Sequence, residues 1–287
     1  PSTTTIMWLI LFFIPYFAVN ASQLLGLHQD DPLLINQIKP LIHPPSKLNY
    51  NFTREPDLNG QFGQALEVSK LLGGQTNGFF IEAGAFNGQD ISNTLLLEMK
   101  YNWTGILIEP NPDLYQEMLS KQRKSFCLET CLSTEKEVQN VDFDATGAYG
   151  GIMNGEGLKP GSRANEAVRQ NKENNPDFVP RYGAYVRRTL QMQCLPLTSI
   201  IEALGNPVID YFSLDIEGAE FPVLKTIDFD KVDIRVFSIE VTKLDSIFDG
   251  RLTQLKYLMK RNGYEFYKEI REDYIYVKKG LLTKDEL

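Results

Sequence analysis

Gly78-Phe79-Phe80-Ile81-Glu82-Ala83-Gly84-Ala85-Phe86-Asn87-Gly88 is the stretch that decides how this chain folds. Residues 79–83 form a short apolar run, the pattern of a strand buried on both faces. Glu82 sits inside that run and Gly84 ends it. The glycines predict a tight turn that lets backbone approach a ligand closely. A helix is expected over 88–100, with Ile91, Leu95 and Met99 on one side. The turn is not the dinucleotide fingerprint G-x-G-x-x-G, because Phe86 occupies the place of the second glycine. It also lacks the Gly-Lys-Ser/Thr ending of a phosphate loop. Little in it favours a pyrophosphate, and Glu82 would repel one.

The same rhythm continues outward. Gly105-Ile-Leu-Ile-Glu109 predicts a second buried strand, and Pro112 opens a helix running to about Lys121. Strands are expected over 126–132, 208–215 and 234–240, with helices over 219–227 and 252–262. Residues 264–270 and 274–278 close the pattern as two strands joined by a short turn. Upstream, Gln61 to Leu72 fits a helix stopped by Gly73-Gly74. Buried strands alternating with amphipathic helices imply an α/β fold. It is a Rossmann-like, doubly wound, mostly parallel sheet with an antiparallel closing strand. Residues 144–186 break the rhythm, holding seven of the chain's 21 glycines and no clear period. They read either as a disordered insertion or as a lid over the site.

Composition narrows the function. The 287 residues carry 29 Lys+Arg against 37 Asp+Glu, a formal charge of -8. The pI near 5.0 argues against a nucleic-acid binder, whose footprint is basic. The only histidines are His28 and His43, and the only cysteines Cys127, Cys131 and Cys194. That set builds neither the usual zinc framework nor a disulfide-stapled scaffold, and no metal site is assigned.

Ligands of a doubly wound sheet bind beyond the carboxyl ends of its strands, where this sequence places acids. Glu109-Pro110-Asn111-Pro112 follows the second strand, and an acid there can hold a ribose diol through two charge-assisted hydrogen bonds. A glycine turn plus this acid, without phosphate-binding features, points to a nucleoside ligand such as S-adenosyl-L-methionine. Its sulfonium and amino group favour acidic surroundings. Asp215-Ile-Glu217-Gly218-Ala219-Glu220 and Glu240 lie at later strand ends. Each acid alone reads as a solvated strand end, but together they suggest one shared site.

Gly78–Gly88, Gly105–Pro112 and Asp210-Tyr-Phe-Ser-Leu-Asp-Ile-Glu-Gly-Ala-Glu220 together resemble the FkbM-type methyltransferase domain, within it the Protein Star-like branch. Ser92-Asn93-Thr94, Cys131-Leu-Ser133, Gly150-Gly-Ile152 and Gln193-Cys-Leu-Pro196 fit that branch too. The resemblance spans about residues 60 to 279. It implies a class I methyltransferase fold and O-methylation dependent on S-adenosyl-L-methionine. Glu82, Gly84, Ala85, Asn87 and Gly88 match the motif that should hold the amino acid end of the cofactor. Glu109, with Asn111, matches the ribose-binding acid. Asp215 and Glu217 match the acidic motif facing the substrate. One departure stands out: the chain reads Glu240-Val241-Thr242 where a histidine is expected. Both histidines lie upstream, so the base must be Asp215, Glu217 or Glu240, directly or through a bound cation, with Asp215 preferred.

The resemblance supports two functions. One is a methyltransferase of the secretory pathway acting on a hydroxyl of a glycan or small molecule. The other is a Star-like, non-catalytic protein that binds secretory cargo in vesicle traffic between the endoplasmic reticulum, Golgi and endosomes. The ends of the chain read as addresses. Residues 6–19 are an apolar run that suits a signal peptide cleaved after Ala21, or a signal anchor giving membrane association. Lys284-Asp285-Glu286-Leu287 reads as a retrieval signal for the endoplasmic reticulum lumen. Residues 22–60, rich in Pro and Asn, read as an extended stalk before the 61–280 domain and the 281–287 tail. Sequons at Asn51 and Asn102 are candidate glycosylation sites, and a third at Asn20 would leave with the leader. In an oxidising lumen three cysteines leave one unpaired, and Cys131 with Cys194 is the preferred bridge. Cys127 and Cys131, on one expected strand, would face the same side but stand too far apart.

Overall fold

Residues 24–153, 188–241 and 250–282 are described by a computed structural model. The expected leader over 1–21, the end of the tail and most of the 144–186 segment lie outside the described residues. Within them, the apolar runs become a seven-stranded sheet. Its strands are β1 (Phe79–Ala83), β2 (Thr104–Ile108), β3 (Phe126–Leu128), β8 (Ile209–Leu214), β9 (Ile234–Glu240), β10 (Tyr264–Ile270) and β11 (Asp273–Lys278). The order across the sheet is β10-β11-β9-β8-β1-β2-β3. β9, β8, β1, β2 and β3 run parallel, and β11 is antiparallel to both of its neighbours. The chain leaves β1 toward β2 and β3, then returns to the other side of β1 at β8. The crevice at the carboxyl ends of β1 and β8 is therefore the switch point of the sheet.

Alternation along these strands splits the core into two layers. Ile81, Ile106, Phe212 and Phe237 pack on one face, and Phe80, Leu107, Tyr211 and Val236 on the other. The covering helices are α1 (Pro32–Ile38), α2 (Gln64–Leu71), α3 (Leu95–Tyr101), α4 (Pro112–Ser120), α5 (Leu197–Ala203), α6 (Glu220–Thr226) and α7 (Arg251–Arg261). Asn111 accepts from Asp113 N and caps α4, with Pro112 in its first turn.

Three expectations are corrected. Residues 24–60 are not an extended stalk. Asp31 caps α1, and Leu34 and Ile38, one helical turn apart, are fully buried in the main core beside Leu24. His43 exchanges both backbone hydrogen bonds with Cys127, at 2.8 and 3.0 Å, so this segment extends the sheet past β3. The helix expected over 88–100 begins only at Leu95. Residues 88–94 instead fold as turns, with Gly88 and Ile91 in the left-handed region. The strand expected over 126–132 is two strands in different sheets, separated at Glu129-Thr130.

That second sheet was not foreseen. It comprises β4 (Cys131–Leu132), β5 (Gln139–Asp144), β6 (Gly151–Ile152) and β7 (Thr189–Leu195), in the order β4-β7-β5-β6. A disulfide joins Cys131 of β4 to Cys194 of β7, and Cys127 is free and buried. No helix among the described residues is long and apolar enough to cross a membrane. Asn51 and Asn102 are both exposed.

Candidate active site

A cavity of about 330 Å³ opens at the switch point of the main sheet. Gly84 and Phe86 line it from the turn after β1, Glu109 and Pro110 from the end of β2, and Asp215, Ile216 and Glu217 from the end of β8. The second sheet supplies the opposite wall through Thr130, Cys131, Leu132, Phe143 and Ile152, together with Gly147, Ala148 and Gly150. The start of the segment read as insertion or lid is thus ordered cavity wall. No Lys, Arg or His stands among the described lining residues.

The turn after β1 is held by close packing. Gly84 has φ +82, and a Cβ there would lie 1.8 Å from the Asp215 carbonyl oxygen. Only glycine permits this approach, and it lets the loops after β1 and β8 touch beneath the cavity. Ala85, Asn87, Gly88 and Asn111, expected to bind the cofactor, do not line the cavity. Asn87 Oδ1 accepts from Gln89 N and Asp90 N, at 3.1 and 2.9 Å, and builds the turn from behind. Asn111 donates to Ala145 O at 3.3 Å and ties α4 to the second sheet.

Glu82 also departs from its expected place. It is 3% exposed and does not line the cavity. Its carboxylate accepts from Ser92 Oγ at 2.9 Å, from Asn93 N at 2.6 Å and from Thr94 Oγ1. Arg123 lies close by, donating to Ser92 and Thr94 and paired with Glu98 at 3.0 Å. Burial pushes the Glu82 carboxyl up, while Arg123 and the three donors pull it down. The missing first turns of the expected helix are these donors, folded back onto the acid.

Glu109 does face the cavity. Its Oε2 accepts from Phe86 N and its Oε1 from Asn111 N, both at 2.9 Å. Burial pushes it up to about 8 against those two hydrogen bonds. Each oxygen still has capacity for a further donor.

The acids after β8 and β9 converge as expected. Carboxylate oxygens of Asp215, Glu217 and Glu240 lie within 4.8 Å of one another, a spacing at which the three could hold a cation together. Burial pushes Asp215 up to about 7, helped by the charges of Asp273 and Glu220, while hydrogen bonds from Glu240 and Gln61 oppose the shift. Glu240 is raised well above the usual carboxylate range by burial and then by Asp215, Glu217 and Glu220. Neighbouring carboxyls whose environments push their proton affinities apart define an acid and a base. Burial and the neighbouring acids favour the protonated form of Glu240, and Asp215, raised to about 7, is the member poised to take a proton. Neither histidine lines the cavity.

Two residues at this site carried no expected role. Glu220 Oε1 accepts from Ile216 N at 2.8 Å and Gly218 N at 3.0 Å, fixing the loop that presents Glu217 at φ +57. Gln61, read as the start of a helix, precedes α2 and reaches the cavity beside Phe62. An acid at a helix start signals a loop organiser of this kind, and Glu220 offered that cue. Gln61 offered none.

The strand order, with one antiparallel strand next to the edge and a cavity at the switch point, defines a class I methyltransferase fold. Residues 82–266, more than half of the chain, match the methyltransferase FkbM domain, and the protein belongs to that family. No curated protein matches it. Among solved structures it is similar to the METTL16 MTase domain, at 14% identity over 81% of this chain and 73% of that one, with a TM-score of 0.38. The human methyltransferase 10 domain containing protein is 14% identical over 85% of this chain and 91% of that one, with a TM-score of 0.35. The precorrin-6y C5,15-methyltransferase from Geobacter metallireducens GS-15 is 12% identical over 79% and 92%, with a TM-score of 0.36. These likenesses are distant, and the assignment rests on the strand order and the family match.

Proposed function

We propose that this protein is an O-methyltransferase that uses S-adenosyl-L-methionine to methylate a hydroxyl of a glycan or small molecule in the secretory pathway. The observation that carries the cofactor is Glu109. It is an acceptor at the end of β2, turned into the cavity, with room for a diol on its two oxygens. The donor set fits the cofactor's chemistry, because acids and apolar side chains line the cavity and no described cation competes with a sulfonium. When bound, that cofactor supplies the methyl group. The acceptor hydroxyl must lose its proton as it attacks, and Asp215, near 7, is the group suited to receive it. Glu240 bonds that carboxyl, and Glu217, which lines the cavity, raises Glu240 in turn. A secretory setting is supported by the Cys131–Cys194 disulfide, a bond that persists in oxidising compartments.

Calorimetry with S-adenosyl-L-methionine tests this reading. Glu109→Ala should weaken binding at least about tenfold, the worth of one lost charge-assisted hydrogen bond. No binding by the wild-type protein at millimolar ligand would remove the reading. The second reading is a Star-like protein that binds secretory cargo without turnover. It is favoured by one observation, the lack of an imidazole among the described lining residues. It predicts cofactor binding with no methyl transfer to any hydroxyl acceptor.

A further inference from the structure

Gln61 stands at the end of a chain of side chains that starts deep in the sheet. Asp273 on β11 is 2% exposed. Its Oδ1 accepts from Ser238 Oγ and its Oδ2 from Gln64 Nε2, both at 2.8 Å. Gln64, fully buried, also accepts from Phe62 N on its Oε1 at 2.8 Å. Its Nε2 reaches Gln61 Oε1 at 3.4 Å, and Gln61 lines the cavity together with Asp215, within reach for its amide to steady that carboxyl.

An amide has one accepting and one donating end, so this chain has a direction. Phe62 N can only donate, which fixes Gln64 with its NH₂ toward Asp273 and Gln61. Gln61 therefore turns its oxygen to Gln64 and its NH₂ to Asp215. Flipping Gln61 would set two NH₂ groups against each other. The Asp215 oxygen facing Gln61 is thus held as an acceptor.

We propose that Gln61 is a positioning residue that holds the Asp215 carboxylate toward the cavity, where it favours the sulfonium cofactor over its neutral thioether product. The inference rests on reading the cavity as a site for S-adenosyl-L-methionine. Its physical basis is Coulombic. Cofactor and product differ by one positive charge and one methyl group, and a fixed carboxylate in a desolvated cavity distinguishes the charge. Loss of that charge on transfer weakens the hold on the product.

The test is calorimetry on the full chain with S-adenosyl-L-methionine and S-adenosyl-L-homocysteine, for wild type, Gln61→Met, Asp215→Asn and the double variant. Wild type should prefer the sulfonium. In Gln61→Met that preference should fall about fivefold to tenfold, the worth of one hydrogen bond to a charged group, with homocysteine-form affinity nearly unchanged. The double variant should match Asp215→Asn, because Gln61 acts only through Asp215. Gln61→Asn keeps the amide but shortens its reach, and should reproduce Gln61→Met if the latter folds poorly. Equal weakening of both ligands would reveal a packing role and overturn the inference, as would an unchanged preference. Failure of wild type to bind either ligand would sink the cofactor reading itself, a different result from binding with an unaltered ratio.

Discussion

Glu82 on β1 and Asp215 just beyond β8 belong to neighbouring parallel strands, where Glu82 pairs in register with Ser213. Their surroundings are opposite. Glu82 is enclosed by Ser92, Asn93 N and Thr94 with Arg123 behind them, and it faces away from the cavity. Asp215 meets two further carboxyls, Glu217 and Glu240, and borders the cavity. The loop after β1 spends its donors on its acid, whereas the loop after β8 spends them on Glu220 and leaves Asp215 among like charges. The first arrangement stabilises the fold, and the second stores the proton affinity that chemistry needs. Substitutions at the two acids should therefore move stability in opposite directions.

The largest effect is expected at Glu82. Glu82→Ala would leave Ser92, Thr94 and Asn93 N without their acceptor, and Arg123 with one fewer counter-charge. The loss should be about 3–5 kcal/mol, the cost of breaking a buried charged network. Denaturant unfolding checks this. A loss below about 1 kcal/mol would mean that the enclosure contributes little and the contrast with Asp215 is empty.

Glu109 falls between the two, with two donors and no countercharge. Its carboxyl sits near 8 in the fold, against an ordinary value of 4.5. Between those values the folded state binds more protons than the unfolded chain. The derivative of stability with pH is then negative. Stability of the cofactor-free protein should fall as pH rises from about 4.5 to about 8, then level off with respect to this group. Glu109→Gln should flatten that decline. The slope of melting temperature against pH is the readout rather than its level, because the amide also sets an NH₂ against a backbone N–H.

How much of this contrast was legible depended on how local each cue was. The strands of the main sheet are contiguous apolar runs, and 234–240 and 264–270 fold over the residues expected. Pro112 marked the start of α4 because its ring suits a first turn. The second sheet was hidden because β4 and β6 have two residues each and Gln139–Asp144 offers only Val141 and Phe143 as apolar positions. The N-terminal segment read as a linker because its prolines outweighed the Leu34 and Ile38 pair. At the site, acids at strand ends were visible, but their partners were not. Which acid is enclosed depends on Ser92, Thr94 and Arg123 folding back across the loop, and no spacing announces that. Gln61 is invisible for the same reason, since its role exists only once α2 is packed against β11.

The smallest stability effect is expected at Asp215, with the opposite sign to Glu82. Asn at this position can accept from Gln61 and donate to Glu240, so both hydrogen bonds survive while one of the repelling charges is removed. Asp215 titrates near 7 in the fold against an ordinary value of 3.8, so its cost to the folded state accrues as pH rises between those values and levels off above about 7. Asp215→Asn should therefore raise stability by about 1 kcal/mol at pH 8 and by less at pH 5, where only part of that cost has accrued. The same substitution should reduce methyl transfer about a hundredfold or more, the usual worth of a positioned general base. A gain in stability paired with loss of turnover is the signature of a group retained for chemistry at the expense of the fold. A loss of stability at pH 8 would instead place Asp215 with Glu82, as a second structural acid.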